Sequence, residues 1–486
     1  MSRHVVIVGG GIAGLATAYY LQKIAAADAV PLQITLVERD ARLGGKIVTA
    51  LEDGFVVEGG PDSFITQKPW ALQLCRELGL SDRLMGTNDA QRAVYIWRRG
   101  RLRKMPDGML LVVPTRFLPF ITSDVISWPG KLRMGLDLFI PPRQDDADES
   151  LAAFIRRRLG QEALDVLAEP MMAGIHVSDA ERLSLLATFP RYRDIERKYG
   201  SLTRGMIASR RAQARAASAS GNGHGRTTVF MTLRDGLQEL VSAIGGALTA
   251  TLITGRGVHA IARTAVGYRL TLDDGRALDA DAVVLATPAY VSAALLRPLK
   301  PELADRLEAI RYVSTATVSL GFAAADLARP LNGFGFVVPR QEPTRLLACT
   351  WTSTKFTHRA RPGAVLLRAF VGGPRREDLV ALDDKALIAL VREELAGIMG
   401  ISATPILARV YRWPRGNPQY DVGHLERVAQ IEALCPPGLY LTGSAYRGVG
   451  LPDCIQQGQA TAQQVVAALK QVALLTGHSE FRESER

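Results

Sequence analysis

Val5-Val6-Ile7-Val8 is an unbroken apolar run that enters Gly9-Gly10-Gly11-Ile12-Ala13-Gly14, after which the texture turns helical over Leu15 to Leu21. The spacing predicts a buried strand, a glycine turn and a helix. A second strand, Ile34-Thr35-Leu36-Val37, ends at Glu38. Val94 to Trp97 reads as a strand leading into Arg98–Leu102, Ile253 to Ile261 as one further strand, and Ala282 to Leu285 as a buried one. Tyr268–Leu272 and Arg276–Leu278 flank Asp273-Asp274-Gly275, the pattern of a hairpin. Leu439–Leu441 enters a second glycine-rich turn, with a helix expected from about Asp453 to Leu469. Ser150 is placed to cap a helix carrying Leu151, Phe154, Ile155 and Leu159 on one face. Met109 to Ile121 is apolar apart from Thr115 and Arg116 and is broken by Pro114 and Pro119. It is too short to span a bilayer, which leaves a buried wall or a surface that touches lipid. Ser218 to Gly225 has the composition of a flexible loop.

The first glycine run has a specific chemistry. Gly9 permits a tight turn, Gly11 lets backbone approach a pyrophosphate, and Gly14 lets helix and strand pack closely, so the amides at Ile12 and Ala13 face the phosphate charge. Glu38 is placed to accept hydrogen bonds from an adenosine ribose, with Arg39 beside it. In Arg42-Leu43-Gly44-Gly45-Lys46 the paired glycines let backbone amides reach a second phosphate, and Arg42 or Lys46 can add charge. Glu58-Gly59-Gly60-Pro61-Asp62-Ser63 is a tight turn of the kind that passes beside an isoalloxazine ring, and Val258 is expected on the adenine side. Gly443 with Gly450-Leu451-Pro452-Asp453 and Ile455 opens a helix whose N-terminus can stabilise an anionic reduced ring. A doubly wound dinucleotide domain assembled from both ends of the chain follows from this pattern.

At 486 residues two or more domains are expected, and 47% hydrophobic with 22% charged residues describes a globular chain. Cys75, Cys349, Cys435 and Cys454 show no CxxC spacing, so neither a disulfide framework nor a metal site is expected. The N-terminus enters a strand directly, which predicts no cleavable signal peptide and a cytoplasmic protein. The net charge of +11 is uneven: nine Lys/Arg lie between Arg92 and Arg133 against two acids, and nine more between Arg182 and Arg215 against two. Without a recognised nucleic-acid motif, an anionic membrane surface or a polycarboxylate substrate fits better than nucleic acid, and solvated arginines explain part of the excess.

Trp413-Pro-Arg-Gly-Asn-Pro-Gln-Tyr420 with Gly423-His424, Tyr446-Arg-Gly-Val-Gly-Leu-Pro-Asp-Cys-Ile455, Gly333-Phe-Gly-Phe-Val-Val-Pro339 and Met172-Ala-Gly-Ile-His176 resemble the porphyrinogen oxidases of the flavin amine oxidase superfamily. The resemblance runs from residue 5 to about 465. It implies an α/β (α+β) protein with a Rossmann-like, discontinuous FAD-binding domain (1–88 with 226–290 and 405–475). A mostly helical membrane-associating region (89–215) and a mixed-sheet substrate domain (291–404) complete it. It also implies non-covalent FAD, Trp413 among the cofactor residues, oxygen as acceptor, and six-electron oxidation of a porphyrinogen to a porphyrin with release of hydrogen peroxide. Coproporphyrinogen III is favoured over protoporphyrinogen IX. The backbone carbonyl of Gly174 is implied as a catalytic aid, Arg92 as a partner for a substrate propionate and Phe334 as an apolar wall. A surface arginine and ordinary core packing fit the last two equally well. Peripheral contact at the inner face of the cell membrane and a homodimer are implied as further partners. His176 and Ser178 depart from the usual Tyr and Gly of that pattern. An amine or polyamine oxidase, or a non-catalytic relative of the fold, are the alternatives; the basic substrate region disfavours a cationic amine.

Overall fold

The computed structural model describes residues 2–110, 112–219 and 228–483, without the side chains of 110, 172–174, 213, 214, 216–219 and 472–483. Most of the 218–225 loop expected from composition lies outside the described residues.

Five parallel strands form one sheet in the order Thr251–Thr254, Leu32–Glu38, Arg3–Val8, Ala282–Leu285, Leu439–Leu441. The first strand is apolar on both faces because both are covered. Val5 and Ile7 pack with helices Ile12–Ala27 and Gln238–Ala247, while Val6 and Val8 pack with helices Ala289–Leu296 and Pro301–Glu308. The expected single strand over 253–261 is two. Thr251–Thr254 belongs to the parallel sheet, and Val258–Arg263 joins the Tyr268–Leu272 and Ala277–Ala280 hairpin. The break falls where Gly255, at φ +68°, and Arg256 donate their N–H groups to the Asp40 and Glu38 carbonyls.

A mixed seven-stranded sheet has the order Leu407–Pro418, Tyr312–Ala323, Ala364–Gly372, Leu346–Trp351, Gly335–Val337, Val94–Arg98, Arg101–Lys104. All its pairs are antiparallel except Gly335–Val337 with Val94–Arg98. Leu407–Pro418, expected with the cofactor-binding half, is hydrogen-bonded into this sheet instead. Helix Leu451–Glu483 starts two residues earlier and runs further than expected, with no glycine or proline between Gln459 and Leu475 to stop it.

Between Phe117 and Leu202 the chain is mostly short helices around a separate core that includes Phe154, Ile155 and Leu167. Ser150 caps helix Leu151–Leu159 by accepting from the Ala153 amide at 3.1 Å, as its position suggested. The 109–121 segment is divided between core and surface: Val112, Val113 and Phe120 are buried, whereas Phe117, Leu118 and Ile121 face outward. Trp128, Leu132, Leu136 and Phe139 extend the exposed apolar set. Buried charges hold this surface in place. Asp137, between Leu136 and Phe139, accepts from Arg158 Nε at 2.7 Å, the Ser201 hydroxyl at 2.6 Å and the Thr203 amide at 2.8 Å. Neither Asp137 nor Arg158 is exposed, so removing one partner strands the other charge in the core. Arg158→Met should therefore lower the free energy of unfolding of this region by about 3–5 kcal/mol. Urea titration followed by tryptophan fluorescence measures it, and an unshifted midpoint would show that the pair carries no net stabilisation.

Candidate functional site

Gly9 sits at φ +107°, and a Cβ there would lie 3.0 Å from the Ala286 carbonyl oxygen. A Cβ on Gly14 would lie 1.9 Å from the Gly9 carbonyl oxygen, so glycine is required for the helix to approach the strand. Gly11 differs: a Cβ there meets nothing within 4 Å among the described residues. Gly11 also caps helix Ile12–Ala27 with extended backbone and no side-chain hydrogen bond, and the first turn carries no acid. Unsatisfied helix amides facing open space beside Gly11 fit a diphosphate.

Glu38 holds this turn. Its Oε2 accepts the Gly10 amide at 2.6 Å and its Oε1 accepts the Asp40 amide at 2.8 Å. Beside it, Arg39 lies over Gly257, and Val258 opens the next strand one residue on. The second glycine pair abuts the first. The Gly44 amide donates to the Gly10 carbonyl at 2.8 Å, and a Cβ on Gly45 would lie 3.2 Å from Gly11 Cα. Arg42 folds back onto its own loop, donating to the carbonyls of Gly45 at 2.5 Å and Ile47 at 3.0 Å. The Lys46 ammonium is given to the Gly416 carbonyl, and burial pushes its pKa down. The structure thus sets Gly9, Gly11, Ile12, Ala13, Gly14, Glu38, Arg42 and Gly45 together, and aims Lys46 toward the Trp413 strand.

The Gly60 turn is fixed from the mixed sheet. The Gly59 carbonyl accepts from Trp413 Nε1 at 3.0 Å, Thr317 Oγ1 at 3.1 Å and Arg368 at 3.2 Å. A Cβ on Gly60 would overlap the Lys46 carbonyl. Next to Pro61, the Asp62 carboxylate accepts from Lys355 at 2.9 Å and from the Ser63 hydroxyl at 2.7 Å. Burial alone would raise its pKa, but Lys355 and Arg368 outweigh burial and hold the carboxyl below the usual carboxylate range. Arg359, Arg368 and Lys355 are neighbours of this turn that sequence reasoning missed. The one available signal was Arg368, a charge in the otherwise apolar strand Ala364–Gly372.

The C-terminal loop closes the cradle. Gly443, at φ +116°, lies against Ala13, and a Cβ on Gly458 would come 2.7 Å from the Ala13 carbonyl oxygen. Leu451 and Ile455 are buried in the same core as Ile12. Gly450 approaches Asp453, whose carboxylate takes the Lys68 ammonium at 2.6 and 2.8 Å.

The Phe334 amide donates to the Ala93 carbonyl at 2.7 Å, so half-buried Phe334 lies on a segment next to that of exposed Arg92. Gly174 lies in helix Glu169–Ile175, which packs on strands Gly335–Val337 and Leu346–Trp351. His176 meets the Phe189 ring edge-on at 5.3 Å, and burial, with Lys68 nearby, pushes its pKa down to about 4.

The model of the flavin containing amine oxidoreductases matches residues 12–466. The chain belongs to that family. It is 39% identical over 471 residues to a coproporphyrinogen III oxidase of Bacillus subtilis, covering 96% of this chain and 98% of the relative. It is 31% identical to the chloroplastic protoporphyrinogen oxidase 1 of Arabidopsis thaliana, over 95% and 87% of the two chains. A crystal structure of a putative protoporphyrinogen oxidase from Exiguobacterium sp. superposes with a TM-score of 0.83 at 34% identity, over 97% of this chain and 99% of that one. The protein is an FAD-dependent oxidoreductase, and the open space beside Gly11 at the start of helix Ile12–Ala27 fits the diphosphate of that cofactor.

The two glycines separate folding from cofactor binding. Gly11→Val should fold and lose flavin, because its side chain enters only the space a diphosphate needs; Gly14→Val should not fold, because its Cβ meets backbone. Flavin absorbance after gel filtration, read beside circular dichroism, checks both. Glu38→Ala should weaken flavin retention by about 1–3 kcal/mol, since the Gly10 amide loses its acceptor. Full flavin occupancy in Gly11→Val would show the diphosphate to lie elsewhere.

Proposed function

We propose that this protein oxidises a porphyrinogen to a porphyrin in haem biosynthesis, with coproporphyrinogen III as the preferred substrate. The observation that carries the reading is the backbone bond from the Phe334 amide to the Ala93 carbonyl, which sets the chain segments of apolar Phe334 and cationic Arg92 next to each other. That pairing suits a flat apolar macrocycle edged with carboxylates. The names and full-length coverage of the bacterial relatives support the four-propionate substrate.

When bound, FAD supplies a two-electron acceptor that oxygen can reoxidise. Three such oxidations take six electrons and six protons from the macrocycle and turn three O2 into three H2O2. The protein's own share is placement. Arg92 binds a propionate, Phe334 bounds the ring, the Gly174 carbonyl accepts a hydrogen bond from a pyrrole N–H and so orients the macrocycle, and the buried walls exclude water. The cofactor is held without a covalent bond, by Gly9 to Gly14, Glu38, Arg39, Arg42, Gly45, Lys46, Gly60 to Ser63, Val258, Trp413, Gly443 and Gly450 to Asp453 with Ile455.

Among the described residues no helix is long and apolar enough to cross a membrane. The exposed face with Leu118 at 73%, Leu132 at 71% and Phe139 at 79% is proposed to rest on an anionic lipid surface, given the nine cations between Arg92 and Arg133. Leu118→Glu with Leu132→Glu should abolish co-sedimentation with phosphatidylglycerol vesicles. Binding equal to that of the unaltered protein would remove lipid from the account.

Porphyrin fluorescence on the two porphyrinogens tests the reaction, with a higher kcat/KM expected for coproporphyrinogen III; no porphyrin from either would overturn it. Arg92→Ala should raise KM by about tenfold more than it lowers kcat, because the propionate is unchanged by the chemistry. Arg92→Lys should recover part of that loss, since an ammonium cannot make the bidentate fork. Unaltered KM in Arg92→Ala would leave Arg92 a surface charge.

A further inference from the structure

We propose that Tyr420 and His424 are positioning residues for the flavin-facing loop 443–450, and that they tie this loop to the helical region carrying Gly174. The Tyr420 hydroxyl donates to the Ser444 carbonyl at 2.8 Å and accepts the Gly448 amide at 2.8 Å, closing the loop across four residues. His424 Nε2 lies 2.8 Å from the Tyr446 carbonyl. A carbonyl only accepts, so this nitrogen carries the proton and Nδ1 is bare. Nδ1 is buried and has no partner among the described residues. Burial pushes the His424 pKa down to about 4, so the ring stays neutral and keeps this tautomer near pH 7. The two rings stack at 3.9 Å with 12° between their planes.

Three hydrogen bonds therefore fall on Ser444, Tyr446 and Gly448, every second residue of the loop. Gly448 sits at φ +122°, and its amide direction is set by the Tyr420 hydroxyl. The pair is itself anchored. The Tyr420 carbonyl accepts the Ser184 amide at 2.7 Å. The Gly423 amide donates at 3.0 Å to Asp148, which also takes the Ser184 hydroxyl at 2.6 Å and the Leu186 amide at 3.2 Å. One residue before Tyr420, Gln419 donates to the Val177 carbonyl at 3.2 Å, three residues beyond Gly174. A stacked pair bonded to the helical region on one side and to the cofactor loop on the other transmits the register of one to the other.

The proposal rests on the flavin assignment, not on the identity of the substrate. Its test uses purified full-length holoenzyme, with flavin dissociation by dialysis and the absorption band of bound flavin as readouts. Tyr420→Phe keeps the stack and deletes two hydrogen bonds; the flavin Kd should rise about tenfold and the band should change shape. His424→Phe should do the same, and His424→Gln, whose amide N–H can reach the Tyr446 carbonyl, should recover most of the loss. A Tyr420→Phe protein that melts lower but keeps the wild-type Kd and band would overturn the proposal, since that is what a merely structural role predicts. His424→Gln losing as much as His424→Phe would overturn it too, and decides the matter if Tyr420→Phe does not fold. A wild-type protein that holds no flavin would instead overturn the cofactor assignment, and the proposal with it.

Discussion

Trp413 donates its indole N–H to the Gly59 carbonyl, Lys46 gives its ammonium to the Gly416 carbonyl, and Tyr420 gives its hydroxyl to the Ser444 carbonyl. One strand end thus holds loops near residues 46, 59 and 444, the first two more than 350 residues before it in sequence. The register of that strand is set by its antiparallel partner Tyr312–Ala323, with a bulge between Val313 and Thr315 where Asn417 donates to both Val313 O and Thr315 Oγ1. Shifting the strand by one residue would turn Trp413 to the opposite face and release the Gly59 turn. The placement of the Gly59 turn and the Lys46 loop against the mixed sheet depends on this register.

Beneath the Gly60 turn the fold accepts a cost that a purely stabilising design avoids. Glu58, Asp62, Arg359 and Arg368 are largely or wholly buried, and burial lowers the pKa of Arg368 while raising that of Glu58. Replacing such groups by well-packed apolar residues is often neutral or stabilising. What charges provide here is direction: Arg368 reaches the Gly59 and Gly60 carbonyls together, and Lys355 fixes the Asp62 carboxylate beside Pro61. The glycine backbone has no side chains to orient it, so donors from the neighbouring sheet do so.

The cofactor half was legible in the sequence because its demands are local. Gly9 and Gly14 each answer a backbone requirement at one position, Gly11 leaves open space at the helix start, and Glu38 closes the motif within 30 residues. The buried cations were not legible, since Arg359 and Arg368 meet Glu58 and the Gly59 carbonyl only through long-range packing. Periodicity also failed where backbone hydrogen bonds override it, as at Gly255-Arg256, which ends one sheet and begins another. Arg92 and Phe334 were named through resemblance; only the pairing of Val94–Arg98 with Gly335–Val337 makes their chain segments neighbours.

The central claim is that segments from both ends of the chain close on one cofactor and are held by the Trp413–Tyr420 strand end. Hydrogen exchange on the full-length protein, with and without FAD, tests it most directly. The account predicts that FAD slows exchange together in residues 9–15, 44–48, 59–63, 413–420 and 443–455. Protection confined to 9–15 and 36–40, with 413–420 and 443–455 unchanged, would contradict it.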